Sequence, residues 1–352
     1  MVIKNATLIK TKRFWAGILL AQFVLFFIFS KTDSCITFFE KLYDIQKNVH
    51  INLFSWVPFS VGDVLYICVG VFLFVQTLLI FKKTCRRKPL IRILIFLNIF
   101  YFSYQIFWGM MYFQTPIIKK LPSEEEPSFS KAKILAKKYL ENCKITRQQT
   151  REDKNGVFII TSENLLIQEI INQDKSIPKI ISSKEELFSL SVKPSLYSEI
   201  MSYTGISGYY NPFTAENQYN KNLPHSILPF TIAHETAHQL GFAREQEANF
   251  IAYLKGIDSK NLELRYSTEL FTLKSLLRYI NIEDPAFVEN IIAQYSPEMK
   301  RDRAYERNFM RKHASKLEDF FGFTNDIFLK SNRQEGSITY SYFIILLLNY
   351  EK

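Results

Sequence analysis

Two histidines and a glutamate within residues 231–241 have the types and the spacing of a zinc-binding hydrolase motif. His234 and His238 are four residues apart, and Glu235 directly follows the first histidine. On a helix, residues at i and i+4 lie on nearly the same face, so two imidazoles can bind one tetrahedral Zn²⁺. The intervening glutamate is then placed to take the proton of a metal-bound water. This spacing predicts a zinc site with Glu235 as the general base.

The same pattern also has a structural interpretation, in which each histidine is a hydrogen-bonded residue of an ordinary helix. The residues that follow favour the metal site. Gly241 can take the left-handed conformation that ends a helix. Residues 242–254 then predict a second helix that folds back toward the first. A carboxylate on the opening turn of that helix would complete a His₂Glu zinc site with its fourth position open.

Two glutamates on that opening turn compete for the third ligand position. Glu245 and Glu247 are two residues apart, so on one helix they point about 200° apart and do not both face the metal. Glu245 shares its face with Asn249, whose side chain can accept a hydrogen bond from a zinc-bound imidazole. We therefore predict His234, His238 and Glu245 as the ligands, with Glu247 as the open alternative.

A hydrolase of this kind also uses a donor that stabilises the oxyanion of the transition state. The tyrosines around the motif offer hydroxyl groups for this role. The sequence does not select among them, and packing in the core is the alternative role for each. The candidates are Tyr203, Tyr209, Tyr210 and Tyr340.

The motif and its continuation carry a resemblance to known proteins. His-Glu-x-x-His at 234–238 followed by Glu-x-x-Ala-Asn at 245–249 resembles the gluzincin pattern, in which the downstream run supplies the third ligand. The block from Ser207 to Phe250 is similar to an uncharacterised family of bacterial inner-membrane proteins with three spans and a zincin-like domain. This resemblance implies the site and the architecture but no substrate. Asn249 stands where gluzincins usually have Asp.

Three apolar stretches near the N-terminus predict a membrane anchor. Hydrophobic residues make up 47% of the 352-residue chain and aromatic residues 15%, and the 32 Phe are a high number for a soluble protein. Stretches at about 14–30, 64–81 and 90–113 are long enough to cross a bilayer. A cleavable signal peptide is the alternative for the first, but no small-x-small cleavage site follows it. Residues 31–60 mix three acids with three lysines, and 56–59 predict an interfacial loop.

The net charge of +10 raises the alternative of a nucleic-acid-binding protein. The basic residues of 1–13 and 82–88 are unaccompanied by acids, and both runs flank predicted spans. Such runs mark the cytoplasmic side of a membrane. We therefore expect the lipid bilayer as a partner and no nucleic acid. Three crossings then place everything after residue 113 outside the cytoplasm, in a multi-pass protein of the bacterial inner membrane.

The remainder of the chain predicts a linker over 114–127 and a zincin-like domain over 128–352. Periodicity indicates a helical segment at 184–203 that is interrupted near Pro194, helices at 266–280 and 296–321, and short strands at 157–160 and 206–213. The apolar run 338–350 is too short for a fourth span and predicts a buried core element. The fold class is a membrane anchor over 1–113 with three transmembrane helices, followed by a mainly helical α+β zincin-like domain.

The expected function is that of a membrane-anchored zinc metallopeptidase, a hydrolase that acts on an unidentified peptide or protein. A bound Zn²⁺ activates water and polarises the scissile carbonyl, and Glu235 transfers the proton. The alternative is a membrane-anchored binding or scaffold protein whose zincin site is structural or degenerate. The intact Glu235 argues against that alternative, because a structural zinc site has no use for a general base.

Overall fold

The computed structural model describes residues 11–82, 86–121, 128–182, 184, 191–319, 321–322, 326 and 339–351. Within these residues the chain is mostly helical and contains one small sheet. It divides into two compact units. The first unit consists of Met1–Gln114 with Asn211–Ala215, and the second of Thr115–Tyr210 with Glu216–Lys352.

The described part of the first unit is built from long helices: α1 (Lys12–Phe29), α2 (Asp33–Phe54), α3 (Val61–Phe81) and α4 (Arg87–Phe107). Helices α1, α3 and α4 are long and apolar enough to cross a membrane. They correspond to the three predicted spans and indicate a multi-pass membrane protein. The third span is shorter than predicted, because the α-helix ends at Phe107 and Gly109–Phe113 forms a 3₁₀ helix.

Helix α2 is the main departure from the expected anchor. Within 31–60 the sequence predicts only an interfacial loop at 56–59, whereas the structure has a 22-residue helix followed by irregular backbone at 55–60. Ser60 then caps the next helix, since its side chain accepts a hydrogen bond from the Asp63 amide at 3.0 Å. Such a cap satisfies one of the free amides at the start of α3.

The second unit is mainly helical, and its described α-helices are α5 (Phe129–Gln148), α6 (Glu163–Asn172), α7 (Ser198–Thr204), α8 (Leu228–Gln239), α9 (Glu245–Ile257), α10 (Leu262–Ile280), α11 (Pro285–Ala293), α12 (Pro297–His313) and α13 (Thr339–Tyr350). Short 3₁₀ helices lie at Ile117–Lys120 and Gln173–Ser176. Apolar side chains of α13 are buried. The prediction of a buried element at the C-terminal end is therefore confirmed.

The sheet is mixed and contains three short strands, β1 (Val192–Pro194), β2 (Gly208–Asn211) and β3 (Glu216–Tyr219). The strand order is β1-β3-β2, and β1 runs parallel to β3 with Val192 opposite Asn217. The strand predicted at 206–213 is present as β2. The interruption predicted near Pro194 in the helical segment 184–203 is present, but 192–194 form a strand that pairs with β3, and the helix of this segment is α7, Ser198–Thr204. Residues 185–190 lie outside the described part.

The strand predicted at 157–160 is reduced to one isolated bridge between Glu152 and Phe158. The predicted helix over 296–321 is present as α12 up to His313, is interrupted at 314–315 and is helical again at 316–319. Helix α8 lies in the core of the second unit, where apolar side chains of α6, β3, α9 and α10 surround its inner face. The helix that carries the histidines is thereby held from several sides.

Candidate metal centre

The turn after α8 brings the two predicted ligand helices together. Gly241 has a φ of 101°, in the region that favours glycine. Its amide donates to the carbonyl of His238 at 2.8 Å, and the Phe242 amide donates to the carbonyl of Ala237 at 3.1 Å. These bonds close the end of α8, and α9 begins at Glu245. The chain therefore reverses over a few residues, as Gly241 predicts.

Side-chain atoms of His234, His238 and Glu245 converge on one point. The Nε2 atoms of the two histidines are 3.1 Å apart. Glu245 places Oε2 at 3.3 Å from Nε2 of His234 and Oε1 at 3.6 Å from Nε2 of His238. One ligand atom from each residue lies within 4.8 Å of the others, so this group could hold a metal ion. Two nitrogens and a carboxylate suit a borderline divalent cation such as zinc.

The backbone fixes the orientation of the second imidazole. Nδ1 of His238 lies 2.7 Å from the carbonyl oxygen of Phe242. Because a carbonyl only accepts, Nδ1 carries the proton and donates. In the neutral ring, the lone pair then lies on Nε2, the atom that faces Glu245. A hydrogen bond of this kind is the usual support of a metal-binding histidine.

Asn249 does not take the predicted role beside an imidazole. The Phe242 carbonyl already occupies Nδ1 of His238. Nδ1 of His234 is buried and has no hydrogen-bond partner among the described residues. Asn249 is buried on α9, one turn from Glu245. The hydrogen bond expected from Asn249 to His238 is not formed, because the carbonyl of Phe242 in the turn already accepts from Nδ1 of His238.

Glu247 points to other partners. Its Oε1 accepts hydrogen bonds from the Ile117 amide at 2.8 Å and from Nη1 of Arg244 at 2.9 Å. The side chain is buried in these contacts. Of the two competing glutamates, the structure therefore brings Glu245 to the histidines and uses Glu247 to fix the start of α9.

Glu235 lies buried beside this group, next to the edge strand β2. A methyl group added at Gly208 would lie 2.7 Å from Oε1 of Glu235 and 3.0 Å from the Gln218 carbonyl oxygen. Only glycine therefore fits at this point of the strand. The other carboxylate oxygen, Oε2, is buried without a hydrogen-bond partner among the described residues. A buried carboxylate oxygen without a partner is costly unless a function requires it.

Burial and charge shift the acid–base properties of these residues in different directions. Burial raises the pKa of Glu235 to about 7, although positive charge on the two histidines opposes the shift. Burial alone would lower the pKa of His238, but the negative charge of Glu245 outweighs it and raises that pKa to about 9. Burial also raises the pKa of Glu245, but the histidines outweigh it and hold that pKa well below its usual value. The cluster thus stabilises the ionised carboxylate of Glu245 next to positive charge. A bound cation would supply such positive charge equally.

Two hydrogen-bonded side chains that the motif does not predict support the ligand helices. Lys255 of α9 is fully buried, donates to Oγ1 of Thr236 at 2.9 Å and forms an ion pair with Asp174 at 2.6 Å. Asn217 of β3 donates to Oε1 of Gln239 at the end of α8, at 3.0 Å. A lysine inside the otherwise apolar run 250–257 of α9 is the only sequence signal for the first of these contacts.

The candidate oxyanion donors differ from one another in their positions in the structure. The ring of Tyr203 packs on His313 with centroids 5.0 Å apart, which is a packing role. Tyr209 and Tyr210 follow Gly208 in β2, and alternation along a strand puts Tyr210 on the face of Gly208. Tyr210 is the better placed of the two for a role beside Glu235. The side chain of Tyr340 lies outside the described residues.

The fold and the site together define a multi-pass membrane protein with a His-Glu-x-x-His helix and a His₂Glu group that could hold a metal ion. The chain belongs to the family described as "Protein of unknown function (DUF3810)", which matches residues 38–348. No curated protein and no solved structure matches the chain. The expected membership of an uncharacterised family is thereby supported, and the activity must be inferred from the site.

Proposed function

We propose that this protein is a membrane-anchored zinc metallopeptidase. The observation that carries the proposal is the convergence of His234, His238 and Glu245 beside a buried Glu235 whose Oε2 has no hydrogen-bond partner in the described part of the chain. The donor set fits zinc, because two imidazole nitrogens and one carboxylate are the ligands of known catalytic His₂Glu sites. When bound, zinc acts as a Lewis acid and lowers the pKa of water.

Glu235 is the proton-transfer group in this mechanism. It takes a proton from the attacking water and gives it to the leaving amine of the cleaved bond. A general base works best when its pKa lies near the ambient pH, and burial raises the pKa of Glu235 to about 7. The unpartnered Oε2 leaves one carboxylate oxygen available for this transfer.

The edge strand β2 is the proposed platform for the substrate. In the order β1-β3-β2, one side of β2 has no neighbouring strand within the described sheet. An extended peptide can pair with such an edge through main-chain hydrogen bonds. Gly208 lies on this strand in van der Waals proximity to Glu235. Pairing along β2 would therefore hold a peptide bond close to the general base.

The proposed location is the bacterial inner membrane, with the metal site on the extracytoplasmic side. The basic run between α3 and α4 supports this orientation, because Lys and Arg concentrate in cytoplasmic loops. The substrate is then a peptide or protein segment accessible outside the cytoplasm.

The test separates metal binding from catalysis in the purified full-length protein. We expect about one zinc per chain, as for a single His₂Glu site. His234→Ala should lose the metal. Glu235→Gln should retain it and lose hydrolysis of a peptide library by about 100-fold or more, the usual contribution of general acid–base catalysis.

Glu289→Gln is the matched control, since Glu289 is an exposed carboxylate of α11 and lies outside the site. It should keep both zinc and activity. Hydrolysis that survives in Glu235→Gln would contradict the proposed mechanism. Bound zinc without hydrolysis of any peptide in the wild type would favour the structural or degenerate site instead.

A further inference from the structure

Helix α2 presents an apolar stripe on its outer face. Ile45, Val49 and Leu53 follow one another at helical spacing and are 65%, 50% and 54% exposed. Phe38 continues the stripe toward the start of the helix, and Trp56, which is 77% exposed, continues it beyond the end. A run of large apolar side chains of this length is unusual on a surface that faces water.

The inner face of the same helix buries two polar side chains, Gln46 and Lys47, beside Phe39, Tyr43 and Ile51. The Gln46 amide donates to Nδ1 of His50 at 2.9 Å and to the carbonyl of Pro212, in the same unit, at 3.2 Å. Lys47 pairs with Asp44 at 2.7 Å. A helix on a water-soluble protein keeps its lysines outward and its large apolar side chains inward. The burial of Gln46 and Lys47 while large apolar side chains are exposed indicates an apolar solvent along the stripe.

The chain connections hold α2 at one membrane face. Helices α1 and α3 are consecutive candidate spans, so the end of α1 and the start of α3 lie on the same side of the bilayer. Three residues, 30–32, connect α1 to α2, a reach of about 10 Å. Six residues, 55–60, connect α2 to α3, a reach of about 20 Å. Both ends of α2 therefore remain near that face.

A fourth crossing does not account for α2. The helix contains five charged residues, Asp33, Glu40, Lys41, Asp44 and Lys47, and it falls outside the candidate spans. If α2 crossed the bilayer, the start of α3 would lie on the opposite side from the end of α1. The remaining arrangement is a helix that lies along the interface.

We propose that α2 lies in the plane of the membrane, with the stripe formed by Phe38, Ile45, Val49, Leu53 and Trp56 in contact with lipid acyl chains. The stripe continues the lipid-facing surface of the spans to which α2 is joined. Lys41 is exposed beside it and can extend its ammonium to the headgroups. Trp56 has the preference of tryptophan for the membrane interface. This inference holds for either orientation of the protein and is independent of the proposed peptidase activity.

Tryptophan fluorescence in reconstituted vesicles tests the proposal. The chain has 3 tryptophans, so replacing Trp15 and Trp108 with Phe leaves Trp56 as the reporter in the full-length protein. A second reporter, Ile45→Trp or Val49→Trp, is introduced after Trp56 is also replaced. Phosphatidylcholine brominated on its acyl chains quenches from the lipid, and iodide quenches from the water.

Ile282→Trp is the matched control, because Ile282 is a 76% exposed isoleucine of the second unit. We expect the α2 reporters to show blue-shifted emission, loss of fluorescence with brominated lipid and little loss with iodide. The Ile282→Trp reporter should show the reverse. The native Trp56 reporter keeps the test valid if a new tryptophan disturbs folding.

Two outcomes would overturn the proposal. If iodide quenches the α2 reporters as strongly as Ile282→Trp, the stripe faces water. If neither quencher reaches them and cross-linking yields a dimer, a second copy of the chain covers the stripe in place of lipid.

Discussion

At the scale of single residues, the choice between Glu245 and Glu247 determines the chemistry of the site. Glu245 faces both histidines, whereas Glu247 is bonded to Ile117 and Arg244. We expect Glu245→Ala to weaken zinc affinity by more than about 100-fold, beyond the loss that removal of an outer partner causes. Glu247→Ala should destabilise the start of α9 and change zinc affinity much less. Competition with a metal-binding dye measures both.

Asn249→Ala serves as the internal control for this comparison. Because neither imidazole Nδ1 is bonded to Asn249, we expect little change in zinc affinity from this variant. A Glu247→Ala protein that lost its metal while Glu245→Ala kept it would reverse the ligand assignment.

Gly208 is the second residue whose role is local and testable. A Cβ at this position would lie 2.7 Å from Oε1 of Glu235, so Gly208→Ala forces the carboxylate or the strand to move. We expect about a 10-fold or larger loss of hydrolysis with zinc retained, because small displacements of a catalytic group are costly. Gly70→Ala is the matched control, since nothing lies within 4 Å of its added Cβ. Full activity in Gly208→Ala would contradict the proposal that β2 is the platform for the substrate.

At the scale of elements, the buried Lys255 of α9 donates a hydrogen bond to Thr236 of α8 and forms an ion pair with Asp174 of the 3₁₀ helix Gln173–Ser176. Lys255 and Asp174 are 0% and 2% exposed. Removing one partner leaves an uncompensated buried charge, which typically costs about 3–5 kcal/mol. Lys255→Met should therefore lower the midpoint of thermal unfolding sharply, and Lys255→Met with Asp174→Asn should recover part of the loss.

Lys300→Met controls for the loss of a lysine as such, because Lys300 is exposed on α12. Calorimetry of the full-length protein in detergent gives the midpoints. If Lys255→Met unfolds no earlier than Lys300→Met, Lys255 does not stabilise the contact between the two ligand helices.

The elements that the sequence predicts are those set by local spacing. His234, His238, Gly241 and Glu245 fall within 12 residues, so helical geometry and one glycine turn are enough to predict their convergence. Strand β1 depends on pairing Val192 with Asn217, a non-local contact with no local signature. The carbonyl of Phe242 takes the hydrogen-bonding role that the sequence predicts for Asn249. It belongs to an irregular turn, whose exact path is not readable from residue types.

Helix α2 was hidden for a different physical reason. Both of its faces mix polar and apolar residues, since Gln46 and Lys47 are buried with Phe39 and Tyr43 while Ile45 is exposed near Lys41, so the sequence shows no continuous polar outer face. Period alone does not tell which side of an amphipathic helix meets the protein. Whether the apolar face packs on the protein or is exposed depends on whether water or lipid surrounds the helix, and the residue types of the helix do not show which.

At the scale of the whole molecule, the proposed side of the metal site depends on the basic run at 82–88. Five Lys and Arg residues fall within 82–88, against three lysines in 31–60, which the proposed topology places on the opposite side. Because Lys and Arg counts in short loops decide orientation, the 82–88 loop should remain in the cytoplasm. Three crossings would then export the second unit.

Reporter fusions test this orientation. A reporter that is active only after export should be inactive when fused after Lys82 and active when fused after Leu121, and a reporter active only in the cytoplasm should show the reverse. Replacing the five basic residues of 82–88 with Gln should weaken the bias, because the remaining difference rests on the N-terminal arm. Gln in place of the three lysines of 31–60 is the control and should leave the pattern unchanged. Export activity after Lys82 in the wild type would place the metal site in the cytoplasm, and extracytoplasmic peptides would no longer be its substrates.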